Sequence, residues 1–294
     1  MALDPQKLFA LEIPEARQTY GWRDCILYAL GTGYGMDPQD ERQLCFVDET
    51  KLKPVPTMAN ILADPGLWMR DLDTGIDWVR MLHGEQSLRL HRPLPPEGEV
   101  VGRTRIVDIV DKGAGKGALI HAERVISEIG TGEVIATILQ TIFCRGDGGF
   151  GGKSESKRLP HPIPERPADL SISLPTSPQA ALIYRLSGDL NPLHSDPAVA
   201  REAGFDQPIL HGLATHGVAG HGLMAALCDH QPERVRLVQG RFSSPVYPGE
   251  TITIDIWREG QGRAAFAARV AERGVMVINN GLFEYEPAPT GQGG

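Results

Sequence analysis

Runs of apolar and β-branched residues, cut by turn signals, fall along this chain as two groups of three. In the second half they are Glu250–Trp257, Arg263–Glu272 and Val275–Tyr285, separated at Gly260-Gln261-Gly262 and at Arg273-Gly274. The first half keeps the same cadence with Glu99–Val110, Gly117–Glu128 and Glu133–Cys144, divided by GAGKG at 113–117 and by Gly130-Thr131-Gly132. Each trio predicts an antiparallel meander closed by hairpins. One segment breaks the pattern. Pro208–Cys228, PILHGLATHGVAGHGLMAALC, has no proline after its first residue and is built of Ala, Gly, Leu, Met and Val, which predicts a helix buried on most sides. Its glycines weaken a helix but let it lie close against a sheet.

The two halves also match upstream of their strands. RPLPPEGEV (92–100) lines up with SPVYPGETI (244–252), and LHGEQ (82–86) falls near LVQGR (237–241). Tyr28-Ala-Leu-Gly-Thr-Gly33 falls over Tyr184-Arg-Leu-Ser-Gly-Asp189 at an offset of 156 residues. Each pair is weak alone, but the series keeps its order, which points to a duplication. Where the second half has its long helix, the first has Pro56, Pro65, Gly66 and Gly75 between Val55 and Val79, so no long unbroken helix can run there. Between the halves, GDGGFGGKSESKRLPHPIPERP (146–167) is dense in Gly, Pro, Ser and charge, as a linker is. The expected organisation is an N-terminal repeat over 1–147, a linker over 148–167 and a C-terminal repeat over 168–294. The fold class is α+β: two antiparallel sheets, with a central helix complete in the second repeat and lost or shortened in the first.

Composition narrows the partners. With 41% hydrophobic and 22% charged residues the chain has the make-up of a soluble globular protein. A net charge of −8 without any basic run speaks against nucleic acid, whose phosphates need clustered Lys and Arg. Cys25, Cys45, Cys144 and Cys228 form no CxxC pair, which fits four buried thiols in a reducing compartment. The opening MALDPQKLFALEIPE lacks the uninterrupted apolar stretch of a signal peptide, and no apolar run approaches a membrane span. The expected location is cytoplasmic, and the closing APTGQGG (288–294) reads as a frayed tail without a peroxisomal SKL address.

The densest chemistry is YRLSGDLNPLHSD (184–196). Gly188 and Asn191-Pro192 enforce a tight path around which Asp189 and His194 can converge. A carboxylate and an imidazole facing one cavity are what addition of water requires: one group takes a proton from water, the other manages the proton at carbon. Asn191 could hold the water. Taken singly, Asp189 reads better as an Asx-turn acid and His194 as a core histidine; their joint spacing reverses that preference.

With YRLSGDLNPLHSDPAVA, RDCILYALGTGYG (23–35), LHGEQ, GGFGG (148–152), ILHGLATHG (209–217) and PVYPGE (245–250) in place, the chain resembles the R-specific enoyl-CoA hydratases called hydratase 2, among the MaoC-like dehydratases of the hot-dog fold. The resemblance covers nearly the whole chain and implies a double hot-dog. It implies that Asp189 and His194 are the catalytic pair, that Asn191 orients water, and that the backbone N–H of Gly212 receives the thioester oxygen. A helix start independently suits that last role, because it offers free N–H groups and a positive dipole end. The implied reaction is reversible hydration of a trans-2-enoyl-CoA to the (3R)-3-hydroxyacyl-CoA, with no metal and no cofactor apart from the CoA of the substrate. At the places of Asp189 and His194 the first repeat has Gly33 and Pro38, so it is expected to hydrate nothing and to open a channel for the acyl chain.

Glu85 in LHGEQ matches an acid that looks functional in the family and takes a supporting role; a buried acid bonding backbone or Arg is an equal reading. Phe150 and Lys153 in GGFGGK, together with Arg158, Arg185 and Arg241, are candidate contacts to the CoA nucleotide, against a plain flexible linker for the first of these segments. His211, His216 and His221 recur every five residues, which on a helix turns each about 140° from the last, so they read as packing histidines and not as a metal set. GAGKG joins two strands without Walker spacing and reads as a hairpin. The alternatives that stay open are a dehydratase for a branched, aromatic or sterol side-chain 3-hydroxyacyl-CoA, a thioesterase, and an acyl-CoA binder without activity. A homodimer is expected from the resemblance, although one chain already supplies paired repeats.

Overall fold

In the computed structural model, residues 3–156 and 158–288 are described, so nearly all of the C-terminal tail lies outside the described residues. Among the described residues, ten strands form one antiparallel sheet. In chain order they are β1 (Ala16–Tyr20), β2 (Met81–Leu90), β3 (Gly98–Asp111), β4 (Ala118–Glu128), β5 (Val134–Cys144), β6 (Leu170–Pro175), β7 (Val235–Phe242), β8 (Thr251–Arg258), β9 (Arg263–Val270) and β10 (Val275–Tyr285). The six strands expected from periodicity are β3–β5 and β8–β10, each within two residues of its expected ends.

The spatial order β1-β3-β4-β5-β2-β7-β10-β9-β8-β6 is one five-strand arrangement written twice, the second time reversed. The two expected antiparallel sheets are continuous with each other through antiparallel pairing of β2 with β7, where Gln86 faces Gly240 and Leu88 faces Val238. The reason is physical: β2 and β7 would each end a sheet with a row of unpaired backbone groups, and pairing them removes both edges. One hydrophobic cluster spans that join, holding Leu88, Ile126 and Ile138 of the first half with Val238, Ile254 and Phe266 of the second.

The central helix, Gly212–Cys228, lies between the second half's strands and segments of the first half. Its glycines account for the closeness. A Cβ at Gly222 would stand 2.9 Å from Ile254 Cδ1, one at Gly220 2.7 Å from Thr57 Cγ2, and one at Gly217 2.5 Å from Thr32 Cγ2. In the first half the matching space holds only short pieces, Leu44–Val47, a 3-10 turn at Pro56–Ile61 and Trp68–Asp71, as the prolines there require. Two short helices, Trp22–Gly31 and Ala180–Tyr184, also correspond between the halves and pack together. Their equivalent tyrosines, Tyr28 and Tyr184, meet with ring centroids 5.7 Å apart.

Among the described residues, 148–167 contains neither helix nor strand, but its start is fastened. The Asp111 carboxylate accepts the backbone N–H groups of Gly149 at 2.7 Å, Gly151 at 2.8 Å and Gly113 at 2.8 Å. Cys25, Cys144 and Cys228 are buried, whereas Cys45 is only half-buried, and all four are free thiols. Among the described residues no helix is long and apolar enough to cross a membrane.

Candidate active site

The signature segment is shaped by its own short-range bonds. After Ala180–Tyr184 the chain tightens into a 3-10 turn at Arg185–Ser187 and reverses at Gly188, whose φ of 123° suits glycine. The Asp189 carboxylate accepts the N–H of Asn191 at 3.1 Å, and Asn191 in turn caps a second 3-10 turn, Pro192–His194, by accepting the N–H of Leu193 at 3.1 Å. Asp189 and Asn191 stay exposed, while His194 is buried.

His194 Nδ1–H donates to the carbonyl of Ile209 at 2.8 Å, because a carbonyl can only accept. That bond fixes the tautomer and leaves the Nε2 lone pair free. Burial holds the His194 pKa below its ordinary value, against the pull of the Ile209 carbonyl and of the Asp189 charge, so the ring is a neutral base at pH 7.

A third side chain stands with these two. One ligating atom each of Asp189, His194 and His211 lie within 4.8 Å of one another. His211 Nε2–H donates to the backbone carbonyl of Asp189 at 3.1 Å, and its ring stacks on that of His194 with centroids 3.7 Å apart and planes 27° from parallel. Burial, and then the neighbouring His194, push the His211 pKa down to about 4. The five-residue recurrence misses this residue because it treats all three histidines as helical. His211 is the N-cap, with ψ of 139°, so it precedes the helix and its direction does not follow the helical rotation. Stacked imidazoles send their in-plane lone pairs along nearly parallel planes, and each ring already holds a carbonyl, so the trio is poorly arranged to converge on a metal ion.

Gly212, one residue on, is the first residue of the central helix. Its N–H belongs to the first turn, where no carbonyl of the helix can receive it. A Cβ there would meet only the ring of Phe242, at an ordinary 3.7 Å, so packing inside the chain does not require glycine.

The other sequence candidates lie elsewhere. Gln86 points inward, so the preceding Glu85 points to the opposite face of the sheet, where it accepts a hydrogen bond from Thr141 Oγ1 at 3.1 Å, itself bonded to His121 at 2.9 Å. Arg241 is paired across from Glu85 in the β2–β7 register and is exposed. Lys153 forms an ion pair with Asp108 at 2.5 Å, and Phe150 packs against the cluster containing Ile109 and Ile142. Arg158 is exposed. Arg185 alone of these sits in the signature segment, where its charge helps to depress His211.

A buried polar chain, which periodicity did not reveal, ties the first half to the central helix. His83 donates to Gln86 Oε1 at 2.9 Å, Gln86 donates to Asn60 Oδ1 at 2.7 Å, and Asn60 donates to His216 Nδ1 at 3.2 Å. The edge of His83 also meets Phe242, the ring beside Gly212, at 4.8 Å.

Comparisons with known proteins bear on both halves of the chain. Residues 161–280 match the family model of the MaoC like domain, and residues 18–146 match that of the MFE-2 hydratase 2 N-terminal domain. The chain is 38% identical to the 3-hydroxyacyl-thioester dehydratase Y of Mycobacterium tuberculosis, over 97% of this chain and 99% of that one. It is 36% identical to the peroxisomal enoyl-CoA hydratase 2 of Arabidopsis thaliana, over 92% of both. A crystal structure of a MaoC-like dehydratase from Phytophthora capsici superposes with a TM-score of 0.87 at 34% identity, covering 98% of this chain and all (100%) of that one. A repeated hot-dog sheet around one central helix, with matches over both halves, therefore places this chain in the MaoC-like dehydratase family of hydro-lyases, in its double hot-dog hydratase 2 form.

Proposed function

We propose that the protein reversibly hydrates trans-2-enoyl-CoA thioesters to (3R)-3-hydroxyacyl-CoA at a single site per chain, formed by Asp189, His194 and the N-terminus of the central helix. The observation that carries this reading is the freed Nε2 of a neutral His194, grouped with the Asp189 carboxylate and His211, one residue before the unpaired amide of Gly212. In the reaction the Gly212 N–H receives the thioester oxygen and makes C3 electrophilic. Water attacks C3 as the Asp189 and His194 pair accepts its proton; the C2=C3 π bond opens, its electrons pass to the enolate, and a proton returned to C2 completes the addition. The pair acts as one coupled unit, and either member can return that proton. Asn191, its side-chain oxygen occupied by Leu193, orients water only through its amide N–H groups.

The acyl chain is proposed to run along the helix away from Gly212. Beyond the contact of Gly220 and Met224 with Pro56 and Thr57, a cavity of about 250 Å³ is lined by Leu52, Pro56, Leu90, Leu94 and Val235. Twelve residues of helix between Gly212 and Met224 span about 18 Å, the scale of a long acyl chain. Support for the substrate class comes also from the relatives, whose names specify a thioester dehydratase and an enoyl-CoA hydratase.

The test adds the protein to crotonyl-CoA and to longer trans-2-enoyl-CoAs and follows the ultraviolet absorbance of the conjugated thioester. The expected result is loss of absorbance without free thiol, and a product that an R-specific dehydrogenase oxidises. Release of thiol would make it a thioesterase, and no change at any chain length would make it a binder. Asp189→Asn and His194→Gln should each lower kcat by about a thousandfold, and the double variant should be little worse than either single one.

A further inference from the structure

His211 makes two contacts that helix packing does not call for. Its Nε2–H holds the carbonyl of Asp189, and its ring covers one face of His194. Gly188, Asp189, Leu190 and Asn191 are all exposed, and the side-chain bonds within this stretch reach only two residues along the chain. Among the described residues, His211 supplies the long-range hydrogen bond to that stretch. His194 is fixed separately, through Ile209, two residues before His211. His211 itself has little freedom: it is 1% exposed, its carbonyl receives the N–H of Thr215 at 3.0 Å, and the ring of Tyr184 lies 5.0 Å away.

Its Nδ1 is buried without a partner, which costs free energy that a phenylalanine at the same place would avoid. The histidine therefore has to be explained by its other nitrogen. The geometry assigns to His211 the role of a positioning residue: it fixes the separation of the Asp189 carboxylate from the His194 imidazole and shields that imidazole from water. Its effect on rate rests on the hydration reading above, whereas its effect on His194 rests on the contacts alone.

The groups whose charges bear on this pair are Asp189 and Arg185 from the signature segment, with Tyr184 beside them and Asp64 reaching Tyr184 from the first half. Burial is the largest influence on His194. Removing the covering ring admits water, so the His194 pKa must rise toward its ordinary value.

Two variants divide the contacts: His211→Phe keeps a stacked ring and loses the donor, and His211→Gln keeps a donor and loses the ring. Both are compared with the unaltered protein by thermal melting, by kcat and KM for an enoyl-CoA, and by NMR titration of His194. Both variants are expected to melt close to the parent and to lose about ten- to a hundredfold in kcat, with KM changed less than about threefold, as a small misplacement of a reacting group does. In His211→Gln the acid limb of kcat/KM and the His194 titration should both move up by about half a pH unit or more, while His211→Phe keeps the parent titration. Parent-like kcat in His211→Phe, or a His194 titration unmoved in His211→Gln, overturns the assignment. An unaltered protein inert toward every enoyl-CoA would overturn the proposed reaction instead, and the His194 titration would still decide the role of His211.

Discussion

A single methyl group added at two glycines of the central helix separates packing from chemistry. At Gly217 it would press on Thr32, whose hydroxyl is tied to the carbonyls of Tyr28 and Ala29 and so cannot turn aside. Gly217→Ala should cost about 1–3 kcal/mol in denaturant unfolding while leaving the rate of the folded protein intact. At Gly212 the methyl has ordinary room against Phe242, so Gly212→Ala should fold as well as the parent. Standing where the thioester oxygen must approach, it should still lower kcat/KM by about tenfold or more; undiminished activity would return Gly212 to the role of a plain helix-entry residue. Asp189, Asn191, His194 and Gly212 could be picked out of the sequence because they stand in YRLSGDLNPLH and ILHGLATHG, two of the segments that carry the family resemblance. His211 could not, because the five-residue recurrence groups it with His216 and His221 as helical, whereas it stands at the N-cap.

At the scale of the elements, the strands with strong apolar content were legible and four others were not. β1 (ARQTY) and β6 (LSISLP) are short, exposed on alternate residues and lie at the two sheet edges, so they carry little apolar signal. β2 and β7 stood out only as matching segments, since inward positions there hold Gln86 and Gly240. The segment after β5 misleads in the opposite direction, because its composition is that of a free tether while Asp111 fastens it. The backbone N–H of Gly149, first among several, holds the Asp111 carboxyl below the ordinary carboxylate range. The clasp therefore contributes fully above the ordinary Asp pKa and is lost as pH falls through the lower folded value. Asp111→Ala is expected to speed protease cleavage within 148–153 at neutral pH without changing kcat; cleavage as slow as in the parent would mean that other contacts hold this segment.

For the molecule as a whole, three fully buried histidines set an acid limit. Burial pushes His211, His216 and His221 each down to about 4, while in the unfolded chain they titrate near their ordinary 6.5. Between those values the unfolded state binds more protons, so stability rises with pH and falls on acidification through that window. The slope is at most about 1.4 kcal/mol per pH unit for each group, and urea midpoints measured from pH 7 down to pH 4.5 should decline accordingly; a flat profile would mean that water reaches these rings. The duplicated plan could be read from ordered pairs of segments along the chain, but the merging of the two sheets could not, since it depends on which strand edges come together in space. That seam has a consequence for assembly. Antiparallel β2 and β7 belong to equivalent places in the two halves, so β7 of another chain satisfies the same backbone bonds as β7 of its own. The connection through 148–167 favours the chain's own partner by an effective concentration on the order of millimolar. Dilution during refolding should thus select the closed chain, and crowding of nascent chains should yield reciprocally exchanged pairs with the same sheet.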